Sequence, residues 1–346
     1  MQIRDLAKYA FGLLLAVALM AWVLRGTDPA TLWSQIRQAS IAGLLLGALL
    51  NLSHNVFRVL RWRVLLSPLR RGIGFRPMFA AVILGYMTSW VIPGRLGELV
   101  RPMLLSAREG LTLGPVVGSI VADRVLDIVA IALLFAVGTW ITPLSGEAAA
   151  HAALLKTGAV LMSVVAIAVL GLMLAASISG PRLGDWFGRR GRSFRWLGRA
   201  GVSLAHGAGA LRSPLAVGLV LIHSVAAWLL IGLGTWVCAR AAGADVTVGT
   251  ILVILPMLVL GVAVPTPAGA GAYHGAMKAG LMLFGVSQVT AVSVGLLAHM
   301  MMAIPVIVAG VLLLWTENVR FADLISSARQ FRQLGDESST RLEGVS

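Results

Sequence analysis

The sequence predicts an all-α, polytopic membrane protein with about six full spans and two re-entrant helical hairpins, arranged as an inverted 3+3 repeat. Three observations lead to this prediction. The 346 residues are 58% hydrophobic and 12% charged, which is too apolar for a soluble domain. Arginine-rich segments recur between the apolar runs, as is typical of cytoplasmic loops. Two apolar runs are broken by proline and glycine, one in each half of the chain.

The first two spans are predicted from the apolar runs at about residues 9–24 and 40–59. No small-x-small cleavage site follows the first run, so we expect it to be an uncleaved span. Arg4 and Lys8 precede it, which places the amino terminus inside. Residues 29–39 have apolar side chains at helical spacing and are expected to lie on the outer interface. A run of arginines is then predicted to form a cytoplasmic loop. Its members are Arg58, Arg61, Arg63, Arg70, Arg71 and Arg76.

The segment 77–106 contains the first break, at Pro93 and Gly94. If this segment crossed the membrane once, every later loop would invert and the arginine-rich segment 181–212 would lie outside. If it enters from the cytoplasm and turns at the break, spans at 115–141 and 153–178 place that segment inside. The charge pattern therefore favours a re-entrant hairpin.

The segment 248–284 contains the second break and follows a predicted span at 215–239. The residues that break it are Pro265, Pro267, Gly269 and Gly271. A re-entrant hairpin here, entered from outside, lets a last span at 289–315 run inward to a cytoplasmic tail.

The same order of span, span, hairpin and span thus occurs twice, and the second set starts from the opposite side of the membrane. The predicted halves are about 1–142 and 153–316, within a single transmembrane domain over 1–318. Residues 319–346 are predicted to form a cytoplasmic tail.

The first hairpin sets Arg95, Glu98 and Arg101 three residues apart, so in a helix they share a face. One interpretation is that Glu98 neutralises the arginines and holds the hairpin shut. The other is that Arg95 and the helix amides after the break bind an anionic head group. Charges at membrane depth are costly, and by default they indicate a site.

The third span carries Asp123, Arg124 and Asp127 inside an apolar helix. Charges here must find partners in the protein interior. They form either an internal salt bridge to Arg95 or Arg101, or a carboxylate that is protonated or coupled to an ion during transport. The sequence leaves both interpretations open.

In the second hairpin, His274 and Lys278 lie one helical turn apart. Histidine titrates near physiological pH, so His274 is either a proton-coupling group or a structural hydrogen-bonding residue. The polar patch over residues 51–55 likewise either lines a path or bonds between helices.

Several function classes are disfavoured by the sequence. There is no phosphate-binding loop, catalytic triad order, HExxH or metal-ligand cluster, so we expect no enzyme activity, no cofactor and no metal. Cys238 is the only cysteine, which excludes intramolecular disulfides. The net charge of +14 comes from arginines beside apolar runs, which argues against nucleic acid as a partner. Homo-oligomer formation stays open.

Four motifs carry a family resemblance. They are Arg58-x-x-Arg61-Trp62-x-x-Leu65-Leu66, Pro93-Gly94-Arg95-Leu96-Gly97-Glu98-x-x-Arg101-Pro102, Asp123-Arg124-x-x-Asp127 and the proline/glycine break at 265–271. Over essentially the whole membrane region the chain resembles the flippase-like transmembrane domain of bacterial lysylphosphatidylglycerol synthases. The resemblance implies an integral inner-membrane protein that moves a lipid or lipid-linked head group between leaflets.

The chain departs from that family in two ways. The synthases carry a cytoplasmic aminoacyltransferase domain, and this sequence ends about thirty residues after its last span. In the second break, Ala268 stands where the family commonly has glycine, and His274 stands where it has glutamate. Lysyl-phosphatidylglycerol is therefore not implied as the substrate.

The function predicted from the sequence is that of a stand-alone lipid flippase, with an anionic or lipid-linked head group bound between the two hairpins. Arg95, Arg101 and Arg124 would offer positive charge, and the nearby carboxylates would hold these arginines or couple to ions. The alternative is a membrane scaffold or accessory subunit of a cell-envelope lipid pathway, which docks a partner through the arginine-rich loops. The predicted site residues are Arg95, Glu98, Arg101, Asp123, Arg124, Asp127, His274 and Lys278.

Overall fold

The structure is a computed structural model that describes residues 3–92, 97–144, 147–189, 202–203 and 205–326, with backbone alone for 3–9 and 180–189. Within these ranges the chain forms helices joined by turns and contains no strand, as an all-α protein should.

The helix bounds follow the apolar runs of the sequence. In chain order the helices are α1 (Ile3–Leu24), α2 (Pro29–Arg37), α3 (Ile41–Leu66), α4 (Phe75–Val91), α5 (Gly97–Glu109), α6 (Leu113–Ile141), α7 (Glu147–Ala150), α8 (Ala152–Arg189), α9 (Pro214–Ala241), α10 (Val248–Ala263), α11 (Ala272–Leu283) and α12 (Gln288–Thr316). Short 3₁₀ turns lie at Gly209–Arg212 and Pro267–Gly269. Helices α6, α8, α9 and α12 begin within two residues of the predicted spans.

Four helices in the described ranges are long and apolar enough to cross a membrane: Ile41–Leu66, Ala152–Ser179, Pro214–Ala241 and Gln288–Thr316. A fifth span results if α1 and α2 are counted together, although they meet at an angle of 87°. Large apolar side chains such as Ile167 and Leu172 are exposed on α8, as expected where a helix faces lipid. Helix α6 is outside this set, and it carries the charged residues of the third predicted span.

The bend between α1 and α2 has a local cause. Asp28 caps α2, because its Oδ2 accepts a hydrogen bond from Thr31 N at 2.8 Å. Pro29 occupies the first helical position, where its missing N–H is not needed. The cap starts a new helix and so fixes the change of direction. The helical spacing over 29–39 corresponds to α2, and the position of this helix on the outer interface stays a prediction.

Helices α4 and α5 form an antiparallel hairpin that crosses at glycines. A Cβ added to Gly97 would lie 1.8 Å from Gly85 O and 2.8 Å from Ser89 N. A Cβ on Gly85 would meet Arg101 Cβ at 3.1 Å. Residues later in α5 therefore contact residues earlier in α4, which shows that the two helices are antiparallel. Only glycine allows the two backbones to approach this closely.

Helices α10 and α11 form a second antiparallel hairpin of the same kind. A Cβ on Gly261 would lie 2.9 Å from Ala272 O, and one on Gly280 would lie 2.8 Å from Ile254 Cγ2. Both hairpins are thus held by small residues in their helices.

The two hairpins pack on the opposite halves of the chain. Helix α10 contacts α6, where a Cβ on Gly138 would meet Leu252 Cβ at 2.7 Å. Helix α4 contacts α12, where a Cβ on Gly310 would meet Met87 Sδ at 2.5 Å.

Helices α3 and α9 form the most extensive helix pair in the described chain. Ser40 N, just before α3, donates to Ala241 O at the end of α9 at 2.9 Å. At the other end of the pair, Arg61 Nη1 lies 2.9 Å from Ser224 Oγ. The two helices therefore run antiparallel.

Two expectations about loops are corrected by the structure. Arg58 and Arg61 do not belong to a cytoplasmic loop, because α3 continues to Leu66 and buries both side chains, with 4% and 0% exposed. The segment 181–212 does not begin as a loop, because α8 runs to Arg189. Residues 190–201 and 204, and the tail from 327 on, lie outside the described residues. Leu324 is buried against the α4–α5 hairpin, so the predicted tail begins with packed residues.

Candidate functional site

Asp123 lies at the centre of a buried ion-pair network. Its side chain is fully buried, and its Oδ1 lies 2.7 Å from Arg61 Nε. Its Oδ2 accepts a hydrogen bond from Arg101 Nη1 at 2.9 Å. Asp123 therefore joins α6 to both α3 and the first hairpin.

Asp127 lies one turn further along α6, and its shortest contacts are with three donors. Arg58 Nη1 is 3.0 Å from Oδ2, and Arg61 Nη1 is 2.8 Å from Oδ1. The indole Nε1 of Trp228 on α9 also donates to Oδ1, at 2.8 Å. Because Arg58 and Arg61 are three residues apart and the aspartates are four apart, each pair shares one face of its helix.

Tryptophan and serine side chains complete the frame of this network. The guanidinium of Arg101 lies 4.0 Å from the ring centre of Trp62, a cation–π contact. Trp62 Nε1 in turn donates to Ser119 Oγ at 2.9 Å. Buried charges of this kind are tolerated because each has an oppositely charged partner. Removing one partner leaves the other charge buried and uncompensated.

Arg124 and Glu98 are the accessible members of the cluster. Their side chains are 39% and 42% exposed, and Arg124 Nη2 lies 3.3 Å from Glu98 Oε1. Arg124 Nη1 is 3.4 Å from Asp127 Oδ2. These are long contacts compared with those around Asp123, so the N–H groups of Arg124 are available to another acceptor.

The accessible residues line a cavity of about 460 Å³. It is lined by α4, α5 and α6 of the first half and by α9, α10, α11 and α12 of the second, together with α3 and the second break. Its polar and charged lining includes Asn51, His54, Asn55, Arg58, Glu98, Arg101, Arg124, Asp127, Thr235 and Thr266. The cavity thus lies where the two hairpins approach each other.

The charges around the cavity do not balance among the described residues. The guanidinium groups are those of Arg58, Arg61, Arg101 and Arg124, and the carboxylates are those of Glu98, Asp123 and Asp127. One positive charge is in excess, in a setting where unpaired charge is costly.

The second break presents backbone groups in left-handed conformation. Ala268, Gly269 and Gly271 have φ of 53°, 73° and 78°. Ala268 and Gly269 line the cavity, and His299 Nε2 contacts Ala268 O at 3.0 Å. An alanine in this conformation is less favourable than a glycine, and His299 holds the carbonyl of that residue in place.

His274 and Lys278 are not among the residues that line the cavity, although the ring of His274 packs edge-on against that of His299 at 4.6 Å. His274 Nδ1 accepts a hydrogen bond from Gly271 N at 3.2 Å, so it caps the turn that starts α11. Lys278 Nζ donates to Val23 O at 2.8 Å and so ties α11 to α1. Their assignment as substrate-binding residues stays a prediction.

The remaining predicted site residues are placed as follows. Pro93, Gly94 and Arg95 lie outside the described residues. Pro265 and Pro267 flank the cavity-lining residues of the second break, and Gly271 packs against α1, where an added Cβ would meet Leu19 Cβ at 2.6 Å.

Two arginines of the site, Arg58 and Arg61, are not among the predicted site residues, because the charge pattern assigns them to a loop. The signal for them was their spacing of three residues before an apolar Leu65-Leu66 pair, which continues the helix. Trp228 carries no such signal, because a tryptophan in an apolar span is unremarkable in sequence.

The model of one protein family, described as the lysylphosphatidylglycerol synthase TM region, matches residues 9–310. No curated protein and no solved structure gives a significant match to the chain. The matched residues include the whole ion-pair network, three of the four span-length helices and most of the fourth, Gln288–Thr316. The chain therefore belongs to the lysylphosphatidylglycerol synthase transmembrane-region family and is a multi-pass membrane protein.

Proposed function

We propose that this protein is a lipid flippase or transporter that moves a phospholipid or a lipid-linked head group across the inner membrane of a bacterium, and that it is not an enzyme. The observation that carries the proposal is the cavity between the hairpins, in which Arg124 is accessible above a buried network with an excess positive charge.

The charge of the network favours an anionic group as ligand. Arg124 is held on one side by Glu98, at 3.3 Å, and on the other by Asp127, at 3.4 Å. A phosphate in the cavity would offer shorter, charge-assisted hydrogen bonds to the guanidinium fork and would balance the excess charge. The more buried arginines already have short contacts to carboxylates, so their role is to hold the frame.

The rest of the cavity lining suits acyl chains. It includes apolar side chains from several helices: Val82, Ile120, Ile128, Ile131, Leu255, Leu258, Val259, Val262 and Val306. Polar head and apolar tail would thus both find matching surfaces, as in most ligand cavities with a few placed polar groups.

For the membrane arrangement we propose six full spans and two re-entrant hairpins in an inverted repeat. Support comes from the two glycine-crossed antiparallel hairpins and from their reciprocal packing, α4 on α12 and α10 on α6. Helices α3 and α9 are the second predicted span of each half, and their antiparallel packing is what a two-fold axis between inverted halves would produce. Breaks in re-entrant segments are tolerated where they line a cavity, as Ala268 and Gly269 do.

Within this proposal, Asp123 and Asp127 hold the arginines, and Glu98 positions Arg124. The short contacts of Asp123 to Arg61 and Arg101 favour the internal salt bridge over a freely titrating carboxylate. The head group would bind between the hairpins, in contact with Arg124.

The test is mass spectrometry of lipids that co-purify with the protein in mild detergent. Wild type is compared with Arg124→Gln and Arg95→Ala, and with the control Arg240→Gln, whose side chain is 48% exposed and pairs with Asp245. We expect one lipid class to be enriched over bulk membrane in wild type and control, and lost in Arg124→Gln. A bulk-like profile in all four proteins would favour the scaffold alternative.

A further inference from the structure

A second cavity lies away from the first, at the end of the α3–α9 pair. We call it the basic groove: it has a volume of about 720 Å³ and is bounded by the last turns of α3, the turn after it, and the start of α9. Leu60, Val64, Leu215 and Leu219 contribute apolar surface. The basic groove and the cavity between the hairpins share no lining residue.

The described charged side chains that line the basic groove are all arginines. They are Arg63, Arg71 and Arg212, and none of the described lining residues is an aspartate or glutamate. Arg63 and Arg71 are exposed and have no ion-pair partner among the described residues. Arg212 donates from Nε and Nη2 to Ser177 O at 2.9 and 2.6 Å, which fixes its guanidinium plane.

The start of α9 adds further positive potential. Ser213 precedes the helix, lines the groove, and makes no side-chain cap hydrogen bond. The first amides of α9, at Leu215 and Ala216, have no intrahelical partner, and the helix dipole is positive at this end. The 28-residue helix thus adds to the positive electrostatic potential that the arginines create in the groove.

We propose that the basic groove binds the phosphate of an anionic phospholipid, with its acyl chains against the apolar surface of α3 and α9. A described lining that holds arginines and no carboxylate favours an anion, and the leucines favour a lipid over a soluble phosphate. The groove lies on the opposite side of the α3–α9 pair from the ion-pair network. Arg63 of the groove is two residues after Arg61 of the network, and so faces away from it on α3. On α9, His223 of the groove directly precedes Ser224, which contacts Arg61. A lipid in the basic groove therefore binds to the outer side of the α3–α9 pair and not in the cavity between the hairpins.

The test is native mass spectrometry of the purified full-length chain, titrated with dioleoyl-phosphatidylglycerol or dioleoyl-phosphatidylcholine. The variant is Arg63→Gln/Arg71→Gln, and the matched control is Arg25→Gln/Arg37→Gln, which removes the same charge elsewhere. We expect wild type and control to bind phosphatidylglycerol more tightly than phosphatidylcholine. In the groove variant, the affinity for phosphatidylglycerol should fall about 30-fold, from roughly a fivefold loss per arginine.

Equal affinity of the groove variant and the control for phosphatidylglycerol would overturn the proposal, as would equal binding of the two lipids by wild type. Wild-type lipid preference is measured first, so a poorly folding variant does not prevent the test. Arg124→Gln should retain groove binding, so a failure of the transport proposal would leave this result unchanged.

Discussion

Replacing Asp123 by asparagine removes the charge at the centre of the buried network and nearly preserves the side-chain volume. Arg61 keeps a carboxylate partner, because its Nη1 lies 2.8 Å from Asp127 Oδ1. Arg101 loses the only carboxylate it contacts among the described residues, and retains the ring of Trp62 at 4.0 Å. The variant therefore leaves one guanidinium buried without a counter-charge.

The magnitude follows from that stranded charge. Breaking a buried ion pair by removing one partner destabilises a protein by about 3–5 kcal/mol, because the remaining charge keeps its desolvation penalty. The side chain of Arg101 is 5% exposed, so solvation of the guanidinium compensates for little of the lost interaction. We expect Asp123→Asn to lower the free energy of unfolding by about that amount, a large share of the stability of a typical protein.

The assay is a denaturant titration in detergent, followed by tryptophan fluorescence. Asp245→Asn is the matched control, because Asp245 also pairs with an arginine but its side chain is 99% exposed. We expect the control to unfold like wild type. Adding Arg101→Gln to Asp123→Asn should recover part of the loss, since the guanidinium that lost its carboxylate is then removed as well. If Asp123→Asn were as stable as the control, the network would not hold the helices together and the reasoning would be refuted.

Two further predictions concern the frame of the site. Gly97→Ala should abolish the peak of folded protein on size-exclusion chromatography, because the added Cβ would lie 1.8 Å from Gly85 O. The control Gly171→Ala, whose Cβ would have no atom within 4 Å, should elute like wild type. A normal elution profile for Gly97→Ala would contradict the close crossing of α4 and α5. Trp228→Phe keeps the ring but removes the N–H that donates to Asp127 Oδ1 at 2.8 Å, and should cost about 1–3 kcal/mol in the same titration. An unchanged unfolding midpoint would show that this bond contributes nothing to stability.

The helices could be predicted from the sequence because the length of an apolar run and its proline and glycine breaks are local properties. Helices α6, α8, α9 and α12 start close to their predicted positions for this reason. The pair between Arg101 and Asp123 was one of two open alternatives, and the structure forms it at 2.9 Å.

The network itself could not be predicted, because its partners are far apart in the chain. Arg61 and Asp127 are separated by 66 residues, and Trp228 lies 101 residues beyond Asp127. Counting charges along the chain assigns Arg58 and Arg61 to a loop, because it takes no account of the carboxylates that form ion pairs with them in the folded protein. Only the packing of α3 against α6 and α9 brings these groups together.

The most direct test of the central claim is a flipping assay in proteoliposomes, with NBD-labelled phosphatidylglycerol or phosphatidylethanolamine and dithionite quenching of the outer leaflet. We expect wild type and Arg240→Gln to move at least one of these lipids faster than protein-free liposomes. Arg124→Gln should reduce that rate at least tenfold, about 1.4 kcal/mol in the barrier, while remaining folded. Equal rates for wild type and Arg124→Gln would contradict a transport site between the hairpins.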